Sequence, residues 1–335
     1  MTQSRIKRRK QRKRTPFKRF LKVTSLTLLT LIAVTGGYLF WKVNEVSQSA
    51  QVDLDRGEHS DYRDEAVNPN SDPFSVLILG LDTRDGDLSG ISDAMVLATF
   101  NPEDGSIKML NIPRDSRVEI VGRDRTDKIN HAHAFGGVDM SIATVENLLN
   151  IPVDYFVSLN FDAFMKIINE LGGVEVDVPM TFTETDNATY GTITLEEGRQ
   201  TLNGEEALAY VRMRKSDPQG DLGRGERQKE VIESVVREAA SFSSITRFGP
   251  LMDALEGNLY TNMSFNNVLG MHSYANDLDQ IDSLSLDGTN SRDGGIYYYI
   301  LNEESVADTS SRLRTHLELE ENNETAESES TSSEY

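Results

Sequence analysis

Nineteen consecutive residues without a charge, Val23 to Trp41, follow directly on a 22-residue start that holds eleven Lys/Arg and no acid. No other feature constrains the chain as much. At a helical rise of about 1.5 Å per residue the run just spans a hydrocarbon core of about 30 Å. The flanking charge asymmetry places the N-terminus in the cytoplasm and everything after Lys42 outside. Tyr38, Phe40 and Trp41 form an aromatic collar at the outer end. A cleaved secretory signal would share the basic start. The apolar run is long for one, however, and it ends in bulky GGYLFWK rather than in small residues. The reading is an uncleaved, single-pass anchor. RIKRRKQRKR also has the composition of a nucleic-acid arm. Directly before a span, topology and attraction to anionic lipid account for it more simply.

The whole chain carries 34 Lys/Arg, so beyond residue 22 only 23 remain, against 54 Asp/Glu. Such a surface repels nucleic acid, and no nucleic-acid partner is expected. The chain has no cysteine, which excludes disulfides, thiol nucleophiles and Cys-ligated metals. An exported chain without disulfides fits a bacterium whose outer proteins face the medium.

The expected organisation is a basic cytoplasmic tail (1–22), a transmembrane anchor (23–42), a polar, acidic stalk (43–73) and a globular domain (74–301). Residues 302–335 then give a helix to about Leu319 and an acidic disordered tail. Within the globular part, FSVLILGL (74–81), AMVLATF (94–100), SIKMLNI (106–112) and DYFVSLN (154–160) read as buried strands. Val174–Val178 and Ile296–Ile300 add strand candidates. Helical patterns occupy 141–150, 161–171, 227–242 and 265–278. NPEDGS (101–106) reads as a hairpin turn, which makes the sheet mixed. The fold class is therefore α/β, a central, mostly buried mixed sheet flanked by helices.

Arg212-Met213-Arg214, followed by Asp221, Gly223, Arg224, Arg227 and Gln228, concentrates permanent positive charge in this acidic chain. Arg212 and Arg214 share a face if the backbone there is extended. Arg224 and Gln228 share one if a helix begins near Gly223. Guanidinium forks hold phosphate oxygens two at a time, and a helix start adds free N–H groups, so the set reads as a phosphate or pyrophosphate clamp. A solvated face, with Glu226 and Glu230 as partners, is the competing account. Asp82 closes the first strand and Asp93 opens the next. Two carboxylates at strand ends beside such a clamp suit Mg2+, which takes a few carboxylates plus phosphate oxygens and water. Turn capping by these aspartates is the plainer alternative, and Asp85 and Asp87 compete for any metal role. Phe161, Phe164, Met165 and Ile168 fall at helical spacings, as a core stripe or as the wall of a cavity. Lys128, Asn130, His131 and His133 read as loop hydrogen bonding or as part of a site rim. No zinc pattern supports a metal there. The glycine pairs 136–137 and 172–173 read as tight turns.

NIPRD (111–115), DKINHAHAFGG (127–137), NFDAF (160–164), LGGVEVDVP (171–179) and LNGEEALAYVRMRK (202–215) precede the Arg224–Gln228 segment. In order and content this set closely resembles the LytR-CpsA-Psr family, over about residues 74 to 240. The resemblance implies a membrane-anchored phosphotransferase of Gram-positive cell walls. Its expected substrate is a glycopolymer, wall teichoic acid first among the candidates, carried on undecaprenyl pyrophosphate. Peptidoglycan is the expected acceptor, and an apolar tunnel holds the lipid. By motif, Asp82 and Asp93 match the family's Mg2+-associated acids, with Mn2+ as a substitute ion. Arg114, Arg212, Arg214, Arg224 and Gln228 match its pyrophosphate set. The family often has an arginine two residues before the second acid, where this chain has Ile91, and Arg84 is the nearest replacement. A non-enzymatic membrane regulator or wall-binding protein, or a pyrophosphatase acting on the same lipid, are the alternative functions.

Overall fold

Apolar residues on alternating positions build a mixed sheet whose two faces are covered differently. The computed structural model describes residues 52–83, 88–186, 191–214, 217–218, 220–239 and 281–319, together with 255, 257–264, 267, 271 and 274. The expected anchor, Arg84, Asp85, Asp87 and the acidic tail from 320 onward lie outside these, as does most of the helix expected at 265–278. All described residues belong to one unit, Val46–Tyr335. Among them, no helix is long and apolar enough to cross a membrane.

The chain begins with β1 (Phe74–Leu81), β2 (Ser92–Asn101), β3 (Ser106–Asn111), β4 (Arg117–Ile120) and β5 (Arg125–Lys128). Next come α1 (His131–Leu149), β6 (Tyr155–Asn160), α2 (Phe161–Leu171), β7 (Val174–Val178), β8 (Phe182–Thr185), β9 (Thr192–Leu195) and β10 (Gly198–Leu202). Then follow α3 (Gly204–Arg212), α4 (Asp221–Ala239), β11 (Leu259–Thr261), β12 (Ile281–Ser285), β13 (Gly288–Asp293), β14 (Ile296–Leu301) and α5 (Glu303–His316). The main sheet has the order β11-β6-β1-β2-β3-β12. Its β1/β2, β2/β3 and β6/β11 pairs are antiparallel, and its β1/β6 and β3/β12 pairs are parallel. The mixed sheet and the 101–106 turn follow the sequence reading, with Asn101 opposite Ser106.

Side chains alternate across each strand. Leu77, Leu79, Met95, Leu97 and Leu110 point to one face and pack with Ile142, Val145 and Leu149 of α1 and Leu313 of α5. Val76, Val96, Ala98, Ile107 and Met109 point to the other, towards Ile232 of α4 and the side chains of Met263, Met271 and Tyr274. The helices are set by local chemistry. The Asn160 side chain accepts from the Ala163 N–H to start α2, and Gly172 (φ 96°) ends it in a left-handed turn that glycine adopts at no steric cost. A capping box between Asn203 and Glu206 starts α3.

Three expectations need correction. The helix expected at 141–150 is preceded by helical residues from His131, with non-helical Gly136 (φ −153°) and Gly137 (φ 64°) bending α1 where the tight turn was expected. Residues 52–73 are not a free stalk. Arg56 pairs with Glu146 at 2.7 Å, Arg63 donates to the Asp154 carboxylate at 3.1 and 3.0 Å, and Leu54 joins the core. A polar composition concealed this, because the anchoring is done by side chains reaching buried carboxylates rather than by an apolar stripe. The domain also continues past Leu301, since Leu313 and Leu317 are core residues.

Candidate active site

Four chain segments converge at one end of the central strands β1, β2 and β3. Asp82 follows the end of β1 and is exposed, and Asp93 is the second residue of β2. Arg114 lies three residues after β3, and its guanidinium donates to the Asp93 carboxylate. The first turns of α4 press close to these elements because two of its positions lack side chains. A Cβ on Gly223 would collide with the Asp217 carboxylate, and one on Gly225 with the Asn111 side-chain amide. The helix thereby carries Arg224 and Gln228 to the strand ends, beside Asp93.

Two spaces meet there. A polar pocket of about 650 Å³ is lined by Arg114, Asp115, Lys128, Arg214, Arg292 and Tyr297, among others. An apolar cavity of about 580 Å³ runs between the Val76–Ala98–Met109 face of the sheet and α2, α3 and α4. Asp93, Arg224 and Gln228 line both. Asp82 and Arg212 line the apolar cavity, and Arg114 and Arg214 line the polar pocket. Of the sequence-predicted set, only Arg84 lies outside the described residues. Phe161, Phe164 and Ile168 line the cavity as well, whereas Met165 packs in the core formed by α2, α3 and α4.

Arg212 and Arg214 do not share a face, contrary to the extended reading. Arg212 is the last residue of α3, with its guanidinium over the Phe161 ring at 5.3 Å. Met213 (φ −53°, ψ 127°) ends the helix and is fully buried, so the flanking arginines enter different spaces. Arg227 fixes this loop from below. It is buried and donates to the carbonyls of Tyr210 (3.1 Å) and Met213 and to the Asp217 carboxylate. The acids proposed to neutralise the arginines are engaged elsewhere. Glu230 accepts from the Tyr210 hydroxyl at 2.5 Å and from the Asp177 N–H at 2.8 Å, and Glu226 pairs with Lys229 at 2.7 Å. Burial, with the Glu230 contact, pushes the Tyr210 phenol well above its ordinary range.

Sequence reasoning placed Lys128 at a loop or site rim and gave Asp115 no role. Asp115 is buried, 2.6 Å from the Lys128 ammonium and 3.7 Å from Arg114 Nε, so it ties two cations of the pocket together. Its position beside Arg114 in NIPRD was the available signal. His133 is buried, with Nδ1 donating to the Gly90 carbonyl at 2.9 Å, and burial lowers its pKa. It secures the loop ahead of Asp93, the structural role expected of it. His131 Nδ1 lies 3.2 Å from the Asp127 carboxylate. Ile91 is 42% exposed. Among the described residues, no group of three or more His, Asp or Glu gathers in a metal-holding arrangement.

A cation-lined pocket that shares three wall residues with an apolar cavity is an arrangement suited to an anionic headgroup on a long apolar tail. The chain belongs to the LytR_cpsA_psr family, which matches residues 37–315. It is 42% identical over 296 residues to the polyisoprenyl-teichoic acid–peptidoglycan teichoic acid transferase TagU of Halalkalibacterium halodurans, covering 88% of this chain and 95% of that one. Its fold is similar to that of TagT bound to LI-WTA, with a TM-score of 0.69, 40% identity, and 80% of this chain and 100% of that one covered. It is also similar to the family protein YwtF (TagT) with bound octaprenyl pyrophosphate lipid, with a TM-score of 0.66, 38% identity and the same coverage.

Proposed function

We propose that this protein is a polyisoprenyl-linked glycopolymer–peptidoglycan phosphotransferase, which moves wall teichoic acid from a polyprenyl-pyrophosphate carrier to peptidoglycan. The observation that carries this reading is the shared wall, Asp93, Arg224 and Gln228, that sets the polar pocket against the apolar cavity. The prenyl chain occupies the cavity, where burial of each CH2 contributes about 0.8 kcal/mol. The pyrophosphate meets Arg114, Arg214 and Arg224, and Arg212 approaches from the lipid side. An acceptor hydroxyl attacks the phosphorus bearing the glycopolymer. The new acceptor O–P bond forms as the bond to the bridging oxygen breaks, and polyprenyl phosphate leaves. Guanidinium groups fixed by Asp93, Asp115 and the Met213 loop stabilise the charge developing on that leaving group.

Asp82 and Asp93 are the residues that would hold Mg2+. Two carboxylates fit an ion that completes its shell with phosphate oxygens and water. When bound, the ion neutralises phosphate charge. With Ile91 in place of an arginine, Arg114, Lys128, Arg214, Arg224 and Arg292 carry the positive charge of the polar pocket. The 23–42 run anchors the chain as a single span, with the domain on the outer side of a Gram-positive membrane.

The test uses the full chain in micelles, a synthetic polyprenyl-pyrophosphate-linked teichoic acid precursor and peptidoglycan oligomers, with and without Mg2+. Attachment is expected to require the ion and to fall about 100-fold or more in Arg224→Ala with the melting temperature retained. Tight lipid binding by the wild type with no attachment to peptidoglycan would defeat the transferase reading. Release of polyprenyl phosphate without attachment would make the protein a pyrophosphatase.

A further inference from the structure

The polar pocket is larger than a diphosphate requires. Pockets of about 300–1,000 Å³ hold drug-sized ligands, and this one measures about 650 Å³. The arginines shared with or adjoining the apolar cavity occupy one side. Another part of the wall is a two-stranded ribbon, β13 and β14, that contributes Gly288, Asn290, Arg292, Tyr297 and Tyr299. These five are not a random sample of the ribbon. Asn290 pairs with Tyr299 and Arg292 with Tyr297 in register, and all five lie at alternating positions on one face. Neither Thr289 nor Ser291 nor Ile300, on the opposite face, lines the pocket.

The ribbon is also fixed to the site. The Tyr299 N–H donates to the Asp115 carbonyl at 2.9 Å, next to the residue that ties Lys128 to Arg114. Its far side is held by Arg117, which pairs with Asp293 at 3.2 Å and lies 5.1 Å from the Tyr298 ring centre. A Cβ at Gly288 would strike the Ile300 carbonyl and the Tyr299 ring, so the base of the ribbon closes tightly. The Lys128 ammonium stands 5.9 Å from the Tyr297 ring centre, and the Tyr297 hydroxyl donates to the Asn290 amide oxygen at 2.7 Å.

An aromatic ring, a carboxamide and a guanidinium on one rigid face suit a ligand with an apolar side and a polar, anionic rim. A phosphate needs no aromatic wall, and a prenyl chain needs no amide or guanidinium. A sugar ring has the required form, with C–H bonds on one face and hydroxyl, acetamido or acidic groups around its edge. The geometry points to the β13–β14 ribbon as a sugar-binding wall, with Arg292, Tyr297 and Asn290 receiving the ring that is joined through the transferred phosphate. This inference rests on the proposed transferase reading. The ring belongs either to the acceptor glycan or to the first sugar of the donor, and the two share this chemistry.

Equilibrium titration of the full chain in micelles separates these sources with three probes. They are sugar-free octaprenyl pyrophosphate, the same lipid carrying one N-acetylated amino sugar, and a soluble glycan-strand oligosaccharide. Arg292→Ala and Tyr297→Ala are expected to leave the sugar-free lipid unchanged and to weaken one sugar-bearing probe about tenfold. Loss on the oligosaccharide arm assigns the wall to the acceptor, and loss on the sugar-lipid arm assigns it to the donor. Unchanged affinity for both sugar probes overturns the inference. A parallel loss for the sugar-free lipid also overturns it, by making the ribbon part of the pyrophosphate clamp. Arg292 is exposed, so Arg292→Ala decides the matter alone if Tyr297→Ala lowers the melting temperature. A wild type that fails to bind the sugar-free lipid would defeat the transferase reading, and the oligosaccharide arm would still judge the ribbon.

Discussion

The two faces of the central sheet are equally apolar and serve opposite ends. On one, Leu77, Leu79, Met95, Leu97 and Leu110 meet α1 and α5, and of these only Met95, at the strand end, reaches either large space. On the other, the positions in between are Val76, Ile78, Gly80, Ala94, Val96 and Ala98, and they form the floor of an apolar cavity. The difference lies in side-chain volume. Leucines and Met95 fill one face to the density of a protein interior, and Gly80, Ala94 and Ala98 on the same strands leave room for a ligand on the other, beside Ile78, Phe100 and Met109. A cavity lined by apolar groups stays unfavourable for water and is available to an apolar chain. The sheet is both a core and half of a binding site, and the site's charges sit where the open face ends.

Shortening a side chain on the packed face is the strongest way to break this division. Leu97→Ala is expected to cost about 2–5 kcal/mol of unfolding free energy, since α1 and α5 cannot collapse into the gap. Transfer activity per folded molecule should stay near that of the wild type. Chemical denaturation alongside an activity assay tests both halves. Activity falling as far as stability would show that the two faces are mechanically coupled. The opposite change is made one residue later. Ala98→Phe puts a ring into the cavity and should weaken binding of octaprenyl pyrophosphate roughly 100-fold, about 2–3 kcal/mol. Because space is available, the melting temperature should hold or rise. A large fall in melting temperature, with lipid binding intact, would mean that this face is ordinary core.

The sequence made much of the sheet legible and less of the contrast between its faces. Continuous apolar runs gave β1 and α2 to the residue, because burial on both faces and 3.6-residue spacing are local signals. Which face stays open depends on where α2, α3 and α4 cross the sheet, a tertiary fact with no local pattern. The same limit separates Arg224 and Gln228 from Arg212 and Arg214. The first pair follows from helical spacing alone. The second depends on the end of α3 and the burial of Met213, which the motif does not encode. Ile296–Ile300 was legible as a strand, but the pocket roles of Asp115 and the β13–β14 ribbon escaped notice because they come from pairing between distant segments, Ser116 with Tyr299 among them. The anchoring of residues 52–73 was missed for a related reason, since its ion pairs join positions about ninety residues apart.

The smallest expected effect concerns the packed face and the C-terminal helix that covers it. His316 is 6% exposed, with Nδ1 2.8 Å from the Thr99 hydroxyl and Nε2 2.7 Å from the Ser106 hydroxyl. Burial and the nearby Lys108 ammonium lower its pKa to about 4, against the opposing pull of Asp104 and Asp282. A histidine held neutral in the fold takes up its proton more readily when unfolded. The stability it contributes is therefore complete above the unfolded value of 6.5 and is lost as pH falls towards 4. Between pH 6.5 and about 5 the loss should be roughly 1–2 kcal/mol. Asp104 and Asp282 have lowered values and act in a separate window, losing their contribution only below 3.8. His133, also lowered by burial, adds to the slope in the upper window. His316→Gln keeps an amide for the two hydroxyls and cannot titrate, so its melting temperature should vary less with pH across that range than the wild type's. An identical slope in both proteins would mean that the packed face owes nothing to a neutral histidine.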